Sequence, residues 1–177
     1  MPSSQHQINV NRAPVLTLWA AVVAERLGFD RDEALTLGRA VAGLNAQTKG
    51  RALGIFHPVP SALKERRGEM KHGERLTFEL LGRAVPVVHT PDGLRALEKD
   101  KPSDPASVAR YLAKAFGDAL DDVRAAMMEL AQSIAADDLA AHAFRLYERF
   151  RPDVPAGERG WGAKGILDLR RIAEAGR

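Results

Sequence analysis

The loop Gly157-Glu158-Arg159-Gly160-Trp161-Gly162-Ala163-Lys164-Gly165 is the densest cluster of candidate chemistry in this chain. Glycines and a lysine ahead of a helix can cradle a phosphate through backbone N–H groups and the helix dipole. No strand is expected before this loop, and no Ser or Thr follows the lysine. The Walker and dinucleotide spacings are both absent. The loop therefore reads as a tight turn whose Trp161 plugs a helical lobe. His6, His57, His72, His89 and His142 include no pair at i, i+4, so no metal is expected, and no cofactor. The carboxylate pairs Asp121-Asp122 and Asp137-Asp138 lie at expected helix starts, where negative charge complements the dipole. No serine sits in a G-x-S-x-G elbow. No catalytic residue is assigned, and the chain is not expected to be an enzyme.

Charge points elsewhere. Residues 1–88 carry 12 Lys+Arg against 8 Asp+Glu, and residues 89–177 carry 14 against 15. Lys49, Arg51, Lys64, Arg66, Arg67 and Lys71 crowd one stretch, with Arg83 close behind and Glu65, Glu69 and Glu74 interspersed. Several cations on one face release counterions from a nucleic-acid backbone. These seven basic residues are the candidate nucleic-acid contacts.

The elements that must position them follow from hydrophobic spacing. Residues 1–12 are polar and aperiodic and read as a loose tail. Pro14 to Leu27 forms a helix with Val15, Leu18, Trp19, Val22 and Val23 on one face, ended by Gly28. Asp30 and Glu33 have capping-box spacing for a second helix, whose inner stripe is Ala34, Leu37, Gly38, Val41 and Leu44. A loop spans 50–60, and Ser61 opens a short third helix through Arg67. Leu76, Phe78 and Leu80 alternate as a strand, Gly82-Arg83 suits a type II′ turn, and Ala84–His89 returns as an edge strand containing Pro86. Thr90-Pro91-Asp92-Gly93 is a turn.

The charged stretch 98–103 is the expected boundary between a lobe at 13–97 and a helical lobe at 104–177. In the second lobe, Asp104 and Pro105 start a helix bearing Val108, Tyr111, Leu112 and Phe116. Leu120, Val123, Met127, Leu130 and Ile134 then form a short heptad seam, suited to packing inside the lobe or to a homodimer. Asp137 caps the next helix, and a last helix runs through Ile166, Leu169 and Ile172.

The expected fold is thus mainly α: N-terminal helices plus one small β-hairpin, and a C-terminal helical bundle. Two helices, a short basic helix and a hairpin over residues 14–90 resemble a winged helix-turn-helix. That resemblance implies a third helix in the major groove, with Arg66, Arg67 and Arg83 as groove and wing contacts. The second helix is longer, and the gap before the third wider, than in that pattern.

The 177 residues include no cysteine, which excludes disulfides and thiolate metal sites. No apolar run is long enough to span a membrane, and the first residues lack a secretory pattern. The expectation is a cytoplasmic, DNA-binding, regulator-like protein. The alternative is a non-enzymatic helical interaction module.

Overall fold

The computed structural model describes residues 6–47, 68–153 and 164–177. The chain runs β1 (Gln7–Asn11), α1 (Arg12–Leu27), α2 (Arg31–Gln47), β2 (Arg75–Leu80), β3 (Arg83–Thr90), β4 (Gly93–Glu98) and β5 (Lys101–Pro102). It continues with α3 (Pro105–Phe116), a 3-10 turn at Gly117–Ala119, α4 (Leu120–Gln132), α5 (Ala136–Phe150), β6 (Lys164–Asp168) and α6 (Leu169–Glu174). Strands β2-β3-β4-β5 form one antiparallel sheet, and β1 pairs with β6 in a second. A mainly α fold with a single hairpin, and its winged-helix form, are therefore incorrect: the protein is α+β with two antiparallel sheets.

Helix α1 is the hub. Its only charged residues, Arg12, Glu25 and Arg26, stand at its ends, and everything from Ala13 to Ala24 is buried. A helix apolar all round is wrapped on all sides rather than laid on a surface. It packs against α2, α3, α4 and α5. Gly28 closes it in the left-handed region at φ 117°. Where α1 meets α2, Gly38 is required, because a Cβ there would stand 2.3 Å from the Thr17 carbonyl oxygen. Arg26 reaches across to cap α4, donating from Nε to the Ala131 carbonyl (3.2 Å) and from Nη2 to that of Ile134 (3.0 Å). Glu25 takes Arg124 Nη2 at 2.6 Å.

The capping box forms as expected, and it does more than cap. Glu33 N–H donates to Asp30 Oδ1 (2.8 Å), and Asp30 N–H donates to Glu33 Oε1 (3.0 Å). The second carboxylate oxygen of Glu33 accepts Leu94 N–H at 2.8 Å, and Thr36 Oγ1 accepts Ala96 N–H at 3.1 Å. Strand β5 covers only the far end of β4. Two side chains of α2 thus satisfy the sheet edge that a longer strand would otherwise pair.

The β2–β3 hairpin lies where alternation placed it, with Phe78 opposite Val85. Its turn is Leu81-Gly82 with φ 50° and 75°, a type I′ geometry rather than the expected II′ turn at Gly82-Arg83. Strand β3 is interior, not an edge: it pairs with β4 as well, and that ladder stops at Val87, beside Pro86, which has no N–H to donate. Strand β4 escaped notice because Leu94, Arg95 and Ala96 are all buried, leaving no alternation to read.

Residues 98–103 make a tight hairpin at Lys99-Asp100, both with positive φ, before Asp104 caps α3 by accepting Ala106 N–H. Residues 7–11, expected as a tail, are a strand. Residues 164–168, expected as the end of the glycine loop and the start of the last helix, are another: Gly165 and Leu167 are buried, and Ile166 is exposed. Asp137 lies within the first turn of α5, and Ala135 occupies the cap. The third helix expected at 61–67 and the Trp161 loop lie outside the described residues. Among the described residues no helix is long and apolar enough to cross a membrane.

Candidate functional site

Of the seven basic residues, Lys49, Arg51, Lys64, Arg66 and Arg67 lie outside the described residues. Lys71 is exposed in the turn before β2, its backbone N–H donating to Glu74 Oε1. Arg83 is drawn inward: its guanidinium lies over the Phe144 ring at 5.0 Å, and Nη1 donates to the Gly82 carbonyl. That contact ties β3 to α5, which gives Arg83 a packing role in place of the expected wing position. The heptad seam is also used inside the chain. Val123, Met127 and Leu130 are buried against the common core, with Leu120 and Ile134 half-buried beside them.

The site that emerges was not among the sequence candidates. A cleft of about 610 Å³ opens where α2, β4 and the middle of α3 converge beside the start of α1. Its apolar lining includes Ala13, Ala40, Leu44, Pro86, Ala96 and Leu97. The polar groups in it are Asn11, Thr36, Arg39, Ser103 and Tyr111, with Glu98 and Lys99 at the hairpin tip. A second hollow of about 550 Å³ adjoins it along β5 and the first turn of α3.

Each polar group is held for a local reason. Thr36 Oγ1 is committed to β4 and to the Glu33 carbonyl. Arg39 follows on the same helix, and its guanidinium stacks 4.5 Å from the Tyr111 ring centroid. That stack fixes the plane of an exposed cation. Burial pushes the Tyr111 hydroxyl above its ordinary range, and the Arg39 charge, with hydrogen bonds to Arg39 and Thr17, pulls it part of the way back. The phenol is neutral at physiological pH.

Asn11 occupies the cap position of α1 but makes no side-chain cap bond. One reason is local sequence: the third helical residue is Pro14, which has no N–H to offer. The Asn11 Oδ1 atom is buried without a partner among the described residues.

The sequence carried faint signals for two of these groups. Arg39 is the lone cation in the otherwise apolar run Ala34–Leu44, and Tyr111 is a hydroxyl-bearing residue on the inner face of α3. The other titratable pair of note is His72 with His89, whose rings are 5.1 Å apart. Among the described residues no group of three His, Asp or Glu side chains is placed to hold a metal. No protein-family model, curated protein or solved structure matches this chain.

Proposed function

We propose that this protein binds a small organic ligand in the cleft between α2, β4 and α3. The observation that carries the reading is the convergence of Arg39, Ser103 and Tyr111 on one largely apolar cleft. Ligand sites are concave and mostly apolar, with a few placed polar groups. The cleft hydroxyls face no histidine among the described lining residues, so the lining supports binding more directly than nucleophilic chemistry.

The reading is tested by NMR titration with a fragment set spanning neutral, anionic and cationic molecules. At least one class is expected to shift the amides of Arg39, Ala40, Ala96 and Tyr111 together. Ala40→Phe, which fills half-open space, is expected to abolish those shifts while leaving the melting temperature nearly unchanged. Shifts scattered over the surface, or none, would remove the cleft as a ligand site.

A second reading, duplex DNA binding, is supported by the charge of residues 49–71 alone. The seven basic residues are expected to make about three to five phosphate contacts, giving a slope of roughly −3 to −4.5 in log K against log salt. Replacing Arg66 and Arg67 together by Ala is expected to reduce that slope by about 2. Failure of the wild-type protein to retain duplex DNA at about 50 mM salt ends this reading.

A further inference from the structure

The two hollows share Arg39, Glu98, Lys99, Ser103 and Tyr111, so one ligand can run through both. Their linings differ. The first is floored by alanines, Leu44, Pro86 and Leu97. The second adds Lys101, Asp104 and Ser107. A molecule spanning them is apolar at one end and polar at the other.

The sign of the polar end follows from the charges around it. Arg39, Lys99 and Lys101 oppose Glu98 and Asp104, leaving one positive charge in excess. Asp104 is already engaged, since its Oδ1 accepts Ala106 N–H at 3.1 Å. Arg39 has no ion pair among the described residues; it is exposed, stacked on Tyr111 and bonded to the Tyr111 hydroxyl, and its remaining N–H groups face the cleft's open side as a fork. A planar fork matches a carboxylate bidentately. One excess positive charge balances a monoanion and under-compensates a phosphate dianion.

On the reading that the cleft is the ligand site, we propose that its ligand is an elongated amphipathic carboxylate. The chain lies in the first hollow, and the carboxylate sits on Arg39.

The test is isothermal titration of the full chain, below micelle formation, with decanoate, decyl phosphate and decyltrimethylammonium. Decanoate is expected to bind. The cationic amphiphile is expected not to bind. Arg39→Gln is expected to weaken decanoate by about 10-fold or more, the scale of a charge-assisted contact, without lowering the melting temperature.

Equal binding of the cationic amphiphile, tighter binding of decyl phosphate, or an unchanged Arg39→Gln would each overturn the ligand class. So would carboxylates that fail to bind while other fragments shift the cleft amides. Failure of every fragment class to reach those amides overturns the cleft reading itself.

Discussion

Trp19→Ala is expected to destabilise the protein by about 3–5 kcal/mol, the range for deleting a large buried aromatic side chain. Trp19 is fully buried at the middle of α1. It meets the Phe150 ring edge-on, with centroids 5.3 Å apart, and its Nε1 donates to the Ala143 carbonyl at 2.8 Å. The indole therefore links the hub helix to α5 by packing and by a directed bond together. The surrounding side chains belong to several helices that brace one another, so the cavity cannot simply collapse. Trp19→Phe retains most of the apolar area and is expected to cost less, about 1–2 kcal/mol, through the lost hydrogen bond and the imperfect fit. Urea denaturation followed by far-UV circular dichroism checks both values. An unchanged midpoint for Trp19→Ala would contradict the placement of this residue at the core.

Glu33→Ala is expected to cost about 2–5 kcal/mol, because two backbone donors lose their acceptor at once. Glu33 is fully buried, and its two oxygens take the Asp30 and Leu94 N–H groups. An ordinary helix-capping residue lost to alanine costs about 1 kcal/mol, so the size of the effect separates a cap from a clasp between helix and sheet. Glu33→Gln keeps one acceptor oxygen but turns an NH₂ toward the other donor, and it is expected to fall between wild type and Glu33→Ala. Hydrogen exchange gives an independent reading: the Leu94 and Asp30 amides should exchange faster in Glu33→Ala. A change confined to Asp30 would show that the link to β4 contributes little.

Asp30 and Glu33 also mark how much the sequence made legible. Their three-residue spacing announces the capping box, and Gly38 on the inner stripe announces a close approach of helices. Both are met in the structure. The second oxygen of Glu33 could not be read, because its partner lies on β4, and β4 carries no period. The misassigned ends fail for a different reason. Ile166, Leu169 and Ile172 fall at helical spacing only because a strand and a one-and-a-half-turn helix abut at Asp168. Ile166 belongs to the strand and faces outward, 49% exposed. The cleft was still less legible: Asn11, Arg39 and Tyr111 come from three separate elements and Ser103 from a connecting loop, and none forms a motif with its neighbours in sequence. Their meeting is a product of the way α2 closes the edge of β4, which is tertiary information.

The pairing of β1 with β6 sets Gln7 opposite Asp168, so nearly the whole described chain is a loop closed by five residue pairs. Closing so long a loop carries an entropic cost that grows only logarithmically with its length, but that cost must be met before the contacts repay it. The small sheet therefore belongs to the late side of the folding barrier, after the α1–α2 hairpin and the β2–β3–β4 meander, whose contacts are local. Substitutions there act on lifetime rather than on assembly: Leu167→Ala, at a fully buried position of β6, should speed unfolding and leave the refolding rate nearly unchanged. The two ends of the described chain thus form a latch whose strength sets how long the native state persists once formed.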